Sequence, residues 1–163
     1  LGSIGHHGLL ITEDFGPSIR IGAVYTNIQN LPYTDNDSHA WIKDFCQTCK
    51  RCVKACPVGA IQGDYTVDSQ ICLSYITQKK HLSAEESTLI GNCIYGCDIC
   101  QLACPKNAIN YEDNRFILKT SQLLSLSNKK FKHQYGDKDF SWRGYSIIKR
   151  NVQLSIKNRG IDI

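Results

Sequence analysis

Residues 46–57 read CQTCKRCVKACP, so that cysteines recur at Cys46, Cys49, Cys52 and Cys56 before Pro57. This Cys-x2-Cys-x2-Cys-x3-Cys-Pro spacing is the one with which thiolates bind cubane 4Fe–4S clusters. A shorter second run follows later in the chain as Cys97-x2-Cys100-x3-Cys104-Pro105. Two such runs predict two clusters close together, and therefore a protein that transfers single electrons.

The two runs form an internal repeat, which is the plan of a two-cluster ferredoxin domain. In such domains three cysteines of a run bind one cluster, and the fourth binds the other cluster. Cys104 is therefore predicted to join the first cluster and Cys56 the second. The predicted first-cluster ligands are Cys46, Cys49, Cys52 and Cys104. The second cluster is predicted to take Cys56, Cys97 and Cys100.

One ligand of the second cluster is missing from the second run, because Ile94 stands where a complete motif has a cysteine. Two candidates remain, Cys72 and Cys93. We favour Cys72, because it lies on a helix predicted after the first run, from which its side chain can turn back to the cluster. Cys93 is one residue out of register, and a buried apolar environment is a common fate of a free cysteine.

The composition describes a globular chain with reduced cysteines. Of its 163 residues, 42% are hydrophobic and 21% are charged, which allows a core and argues against disorder. Disulfides need an oxidising compartment, and zinc sites do not usually combine x2 spacings with x3-Cys-Pro, so iron–sulfur chemistry is favoured. No apolar run approaches the ~18 residues that span a bilayer, so we expect a cytoplasmic protein without a membrane partner. The absence of methionine predicts a piece of a longer protein or a processed form.

Local signals predict short elements before and between the cysteine runs. Residues 2–8 are glycine-rich and predict a loop, whereas the apolar run at residues 20–26 predicts a buried strand. Residues 30–38 look like a linker. Asp68 is a good N-cap for a helix from Ser69 to about Gln78. Ser83 and Glu86 form a capping-box pattern for a helix through Leu89.

The tail after residue 112 is basic and predicted to be helical. The net charge of the chain is +4, and Lys and Arg dominate from Lys119 to Arg159, a pattern that suits phosphate or simply a solvated helix face. Ser121 and Ser127 are predicted to cap two helices. A third is predicted after Ser141 or Gly144, with Ile148, Val152 and Ile156 on one face and a stop at Gly160. The aromatic residues there are expected to pack in a core, namely Tyr135, Phe140, Trp142 and Tyr145.

Four segments resemble a known family. They read LGSIGHHGLLI at residues 1–11, ICLSYIT at 71–77, IGNCIYGCDICQ at 90–101 and LLSLS at 123–127, and Arg150-Asn151 adds to them. These segments resemble the epoxyqueuosine reductases, which are cobalamin-dependent enzymes that modify tRNA. The likeness covers most of the chain and borders on the reductive dehalogenases.

The resemblance implies cofactors, partners and site residues. Electrons from a donor such as ferredoxin or flavodoxin would pass through two 4Fe–4S clusters to cobalamin, which would reduce an epoxide on a tRNA base. Cys56, Cys72, Cys97 and Cys100 would hold the cluster nearest the corrin. The implied cobalamin contacts are Ile4, His6, Ser74, Thr77, Cys97 and Asp98. No residue of this chain matches the acidic proton donor of the family, so the catalytic residue is unknown.

The fold class expected from these observations is α+β. We expect a two-cluster ferredoxin-like domain at residues 43–112, preceded by a remnant of an α/β cobalamin-binding domain at 1–42 and followed by a small basic helical segment at 113–163. Two other functions stay open from the sequence. One is a ferredoxin-type electron-transfer module that serves a separate partner, and the other is a reductive dehalogenase-like enzyme.

Overall fold

The computed structural model describes residues 1–29, 40–107 and 119–160, which form two compact units. The first unit comprises Leu1–Cys56, Ile61–Val67 and Ile99–Asn110, and the second comprises Pro57–Ala60, Asp68–Asp98 and Tyr111–Ile163. Helices dominate the described residues, together with one two-stranded sheet, so the structure agrees with a mixed helix and strand class. The predicted linker at residues 30–38 lies outside the described residues. The predicted three-domain division stays a prediction.

The secondary structure consists of short elements. The strands are β1 (Ser3–Ile4) and β2 (Leu10–Ile11). The helices, in chain order, are α1 (Ala40–Cys49), α2 (Arg51–Ala55), α3 (Leu73–Ile76), α4 (Ala84–Leu89), α5 (Ile99–Leu102), α6 (Thr120–Leu124), α7 (Asn128–Tyr135) and α8 (Tyr145–Asn158), with a 3₁₀ turn at Asp139–Ser141 before α8. No helix in these ranges has both the length and the apolar character that crossing a bilayer requires.

The first unit begins with a hairpin where the sequence predicts a loop. β1 and β2 pair antiparallel, with Ser3 opposite Ile11, and the Gly5 N–H donates to the Leu9 carbonyl across the turn (3.1 Å). The glycines mark the turn correctly. The sequence does not predict the two strands, because strands of two residues are too short to show an alternating pattern.

The hairpin and α1 share a small apolar core with the cysteine segments. Ile11 and Ile42 are fully buried and pack with Cys46 and Cys104. The segment after β2 packs closely against the backbone that follows the second cysteine run. Gly16 adopts a left-handed conformation (φ 59°), and a Cβ there would lie 1.8 Å from the Lys106 carbonyl oxygen, so only glycine fits this approach.

The second unit is organised around α8. This helix packs against α4, α6 and α7, and its apolar face meets a core of Leu123, Phe131, Tyr145, Ile148 and Val152. The predicted face of α8 is therefore confirmed. The aromatic prediction holds for Tyr145, which is buried, and for Tyr135 and Phe140, which pack against the core. It is wrong for Trp142, which is 59% exposed and whose indole N–H donates to Gln78 Oε1 (3.0 Å).

Helix caps were predicted well where side chain and backbone act within one turn. The capping box of Ser83 and Glu86 and the cap at Ser127 are confirmed. Gly144 precedes α8, and Gly160 follows it with a φ of 63°. The cap at Ser121 is wrong, because α6 begins at Thr120 after Lys119.

The helix predicted after Asp68 is much shorter than expected. Asp68 Oδ1 accepts the Gln70 N–H (2.9 Å), which closes a local turn instead of a helix, and α3 begins only after Cys72. A side chain that bonds its own neighbouring backbone competes with helix formation. Cys72 therefore stands in extended conformation at the start of α3 (ψ 125°) and not in the middle of a helix.

The buried strand predicted at residues 20–26 is wrong. These residues form no strand, and the side chains of Ile21, Val24 and Tyr25 are 72%, 91% and 98% exposed. A strand needs a neighbour that pairs with its backbone N–H and C=O groups, and no strand among the described residues lies beside this one. Apolar and β-branched residues in a local window show a tendency to pair, but they cannot supply the partner.

Candidate iron–sulfur centre

The first cysteine run is folded into two helices that meet at Lys50. Cys46 and Cys49 lie three residues apart on α1, so they share one face of that helix. Lys50 then adopts a left-handed conformation (φ 46°, ψ 21°), which ends α1 and redirects the chain into α2, where Cys52 lies. A non-glycine residue in this region is uncommon, and here it turns the third cysteine back towards the first two.

Cys104 meets these three cysteines from the second run. It follows α5 at the Cys-Pro corner, and its amide N–H donates to the Gln101 carbonyl (3.2 Å). One cavity of the first unit is lined by Cys46, Cys49, Cys52 and Cys104, together with His6, His7, Phe45, Lys50, Arg51 and Pro105. All four cysteines predicted for the first cluster thus line the same cavity, although Cys104 is remote from the others in sequence.

The electrostatics of the thiols agree with this closeness. Burial raises the pKa of Cys46, Cys52 and Cys104 above that of a free thiol. Electrostatic repulsion from Cys46 and Cys49 adds to the increase for Cys104, and repulsion from Cys104 adds to it for Cys52. Because iron is bound by thiolates, a cluster that binds here displaces the protons of these thiols.

Backbone groups affect the pKa of two of these thiols in the opposite direction to burial. Hydrogen bonding from the backbone of Lys106 and Asn107 lowers the pKa of the Cys104 thiol, and that from the backbone of His6 lowers the pKa of Cys46, in each case against the larger effect of burial. Such bonds stabilise negative charge on sulfur, and they are one of the means by which proteins set the reduction potential of iron–sulfur clusters. The donor set and its backbone hydrogen bonds fit a cubane.

A cubane requires a wider arrangement of thiols than a single metal ion does. In the described ranges, no group of three or more His, Cys, Asp or Glu side chains converges closely enough to hold one metal ion. In a cubane each thiolate binds a different iron atom, so the four thiols surround a body several ångströms wide instead of one point.

Two buried histidines complete the wall of this cavity. His6 is 3% exposed, stacks on Tyr65 with ring centroids 4.2 Å apart, and accepts the Tyr65 N–H at Nδ1 (3.3 Å). Its buried Nε2 has no hydrogen-bond partner among the described residues. Burial, with a smaller contribution from His6, lowers the pKa of His7 to about 4. A buried N–H without a partner costs about 1–3 kcal/mol. The unpaired Nε2 of His6 therefore fits a site where a bound group supplies a hydrogen-bond acceptor.

The cysteines predicted for the second cluster are divided between the two units. Cys56 and Cys100 belong to the first unit, and Cys72 and Cys97 belong to the second. Within the second unit, Cys97 packs against the core formed by Leu73, Ile76 and Ile90. Their assembly into one ligand set stays a prediction.

Cys93 lies beside Cys97 in that unit. It packs against the same core and makes a side-chain hydrogen bond with Cys97, and this bond, followed by burial, raises the pKa of its thiol. Cys93 is only partly buried, and its role stays a prediction, with its nearness to a predicted ligand keeping the alternative testable.

We expect Cys93→Ser to leave about eight irons per chain after anaerobic reconstitution, because two intact cubanes contain that number. Cys72→Ser is expected to leave about four irons. Iron and sulfide analysis with electron paramagnetic resonance would measure both variants. If Cys93→Ser loses a cluster and Cys72→Ser keeps both, then Cys93 is the ligand of the second cluster and Cys72 is not.

The residues implied as cobalamin contacts have different environments. Ile4 and Asp98 are exposed, and Ser74 is half-buried. Thr77 is fully buried, and its hydroxyl donates to the Ser74 carbonyl (2.9 Å) and accepts the Gly96 N–H (3.0 Å). The hydroxyl of Thr77 thus has an internal structural role. The corrin contacts stay a prediction.

Asn151 on α8 extends this network, although no local pattern beyond the family likeness predicts a role for it. The side chain is fully buried, and its amide donates to the Thr77 carbonyl (2.6 Å) and the Ile94 carbonyl (2.8 Å). Its Oδ1 accepts from the guanidinium of Arg150. Asn151 therefore joins the segment after Cys72 to the segment before Cys97, which are the two cysteine-bearing segments of this unit.

Comparison with protein-family models agrees with the prediction of two 4Fe–4S clusters. A model described as a 4Fe–4S double cluster binding domain matches residues 45–107. All nine cysteines lie within that range.

Comparison with curated proteins finds long alignments to larger proteins. The chain is 37% identical over 162 residues to an epoxyqueuosine reductase of Listeria monocytogenes, which covers 93% of this chain and 41% of the relative. It is 37% identical over 168 residues to the epoxyqueuosine reductase of Lactococcus garvieae, and this alignment covers 97% of this chain and 46% of the relative. The chain therefore spans less than half the length of these relatives.

Solved structures show the same likeness. An epoxyqueuosine reductase from Streptococcus thermophilus matches 98% of this chain and 43% of that chain, with a TM-score of 0.80 and 35% identity. A crystal structure of epoxyqueuosine reductase with an epoxyqueuosine-modified tRNA-Tyr stem loop matches 96% of this chain and 43% of that chain, with a TM-score of 0.68 and 29% identity.

Proposed function

The chain belongs to the epoxyqueuosine reductase family over the part of those proteins that it spans, and we propose that the whole protein reduces epoxyqueuosine in tRNA to queuosine. The chain is the iron–sulfur portion of such a reductase. The observation that carries the proposal is the cavity in which Cys104 joins Cys46, Cys49 and Cys52. This arrangement supports the shared-ligand plan expected of a two-cluster protein, because the cavity takes residues from both runs.

The residues of this chain have separate tasks in the proposed reaction. Cys46, Cys49, Cys52 and Cys104 would hold one 4Fe–4S cluster, and Cys56, Cys72, Cys97 and Cys100 the other. When bound, these clusters would supply single-electron transfer towards cobalamin in the whole protein. The buried cysteines and the apolar core behind them limit water at the first site.

Cobalamin is part of the proposal, as an acceptor held jointly with the rest of the protein. Family likeness implies contacts at Ile4, His6, Ser74, Thr77, Cys97 and Asp98. The side chain of His6 is buried in the wall of the first-cluster cavity, so the proposed corrin contacts are the other five residues. Ile4 and Asp98 are exposed and therefore accessible to a ligand. Thr77 would act indirectly, because its hydroxyl orients the Gly96 amide next to Cys97.

The proposed substrate is tRNA, and the proposed electron donor is a small carrier such as a ferredoxin or a flavodoxin. A related structure contains a modified tRNA stem loop. In the second unit, α7 exposes Lys129 and Lys130, and Arg143 stacks 3.9 Å from the ring of the exposed Trp142. Exposed cations meet phosphate, and an exposed aromatic ring offers a stacking surface for an unpaired base. We place the protein in the cytoplasm, where tRNA would be modified.

The proposal is tested with the protein that carries this chain, reconstituted anaerobically with iron, sulfide and cobalamin. Given a low-potential reductant and tRNA that contains epoxyqueuosine, it is expected to form queuosine, measured by mass spectrometry of the digested nucleosides. Cys49→Ser is expected to abolish the conversion, whereas the matched variant Cys93→Ser retains it. Absence of conversion by protein that holds both clusters and a corrinoid would overturn the proposed substrate.

A further inference from the structure

His6 is a buried polar side chain whose hydrogen-bonding state follows from its contacts. Its Nδ1 accepts the Tyr65 N–H (3.3 Å), so Nδ1 carries no proton. In the neutral imidazole the proton is then on Nε2. This Nε2–H group is buried and has no partner among the residues that the structure describes.

The surroundings of His6 place this donor at the first cluster site. His6 lines the same cavity as Cys46, Cys49, Cys52 and Cys104. The imidazole is held in place by stacking on Tyr65, with ring centroids 4.2 Å apart and planes inclined by 29°. A donor in a fixed orientation beside four thiols can be satisfied by a sulfur atom of the group that those thiols bind.

We propose that His6 donates its Nε2–H to a sulfur of the first cluster and thereby raises the reduction potential of that cluster. The proposal rests on the proposed function, since it requires a cubane at this site. Reduction adds negative charge to the cluster, so a hydrogen-bond donor stabilises the reduced form more than the oxidised form. His6 is then a tuning residue and not a ligand, because four thiolates already complete the set.

The alternative is that His6 only fills space. A phenylalanine would fill a similar volume and stack on Tyr65 equally well, but it would neither accept the Tyr65 N–H nor donate from the Nε2 position. Glutamine, in contrast, carries an amide N–H₂ at a similar distance from the backbone. Comparing the two substitutions therefore separates the donor from the bulk of the ring.

The experiment is a potentiometric titration of the reconstituted full chain, followed by electron paramagnetic resonance. The midpoint that disappears in Cys49→Ser identifies the first cluster. In His6→Phe, the ratio of reduced to oxidised first cluster at the original midpoint is expected to fall about tenfold, which is about 59 mV for a one-electron couple. The second cluster keeps its midpoint. His6→Gln is expected to return the first midpoint most of the way to its original value, and Tyr65→Phe, which keeps the ring and the backbone amide, is expected to leave that midpoint unchanged.

The outcomes separate this inference from the proposed function. An unaltered chain that binds no pair of cubanes contradicts the proposed function. Two bound cubanes with the first midpoint unchanged in His6→Phe contradict only the role of His6, and so does an equal shift in His6→Phe and His6→Gln. If His6→Phe does not assemble its clusters, His6→Leu is judged by the same comparison with His6→Gln.

Discussion

Cys104→Ser is expected to remove one of two clusters and to leave about four of about eight irons per chain. The lost cluster is expected to be the one that Cys46, Cys49 and Cys52 bind, because Cys104 lines their cavity and interacts electrostatically with each of them. Iron and sulfide analysis after anaerobic reconstitution measures the loss, and electron paramagnetic resonance identifies the remaining cluster.

A pair of double variants makes this prediction sharper. If Cys104 belongs to the first cluster, Cys49→Ser combined with Cys104→Ser removes no more iron than either substitution alone. Cys104→Ser combined with Cys100→Ser should damage both clusters, because those thiols serve different cubanes. The opposite pattern would show that each run binds its own cluster, and the shared-ligand assignment would then be wrong.

Asn151→Leu is expected to be the most destabilising single change outside the cysteines. The substitution keeps the volume approximately but leaves the Thr77 and Ile94 carbonyls without their donor in a fully buried place. Each unsatisfied buried group costs about 1–3 kcal/mol, so we expect a loss of about 3 kcal/mol in the free energy of unfolding. The shift in urea midpoint of the reconstituted chain, followed anaerobically by circular dichroism, measures this loss.

Asn158→Leu is the matched control on the same helix. Asn158 also donates to backbone carbonyls, with Ile90 the nearest (2.6 Å), but it is exposed, so water can replace its bonds. We expect a loss of about 1 kcal/mol or less. Equal effects of the two substitutions would contradict the assignment of Asn151 as the buried connection between the Cys72 and Cys97 segments. Faster hydrogen exchange of the Gly96 amide in Asn151→Leu alone would locate the effect.

The features that the sequence determined are those that depend on neighbours along the chain. The cysteine spacing predicts the cofactor type, because the geometry of a cubane restricts how far apart its ligands can stand in one loop. The capping box at Ser83 and the cap at Ser127 are satisfied within a single helical turn. The spacing of Ile148 and Val152 identifies the buried face of α8, because helical periodicity alone places both on that face.

Other expectations failed or stayed undecided because they depend on contacts between distant segments. The apolar run at residues 20–26 has the composition of a strand but no strand beside it among the described residues. Trp142 alternates with core residues yet stays exposed, because the 3₁₀ turn before α8 directs it away from the core that takes Tyr145. Both outcomes depend on which distant residues pack beside these segments in the folded chain, and a local sequence pattern does not predict that.

The identity of the cofactor was therefore decided by the sequence, and its environment by the tertiary structure. Four thiols at characteristic spacing are enough to specify a cubane, because bonds between iron and sulfur tolerate few arrangements. Only folding brings His6, from the other end of the first unit, against those thiols, and buries Asn151 between two cysteine segments. Burial and hydrogen-bond pairing are properties of the packed chain, because each requires groups that are remote in sequence to exclude water together.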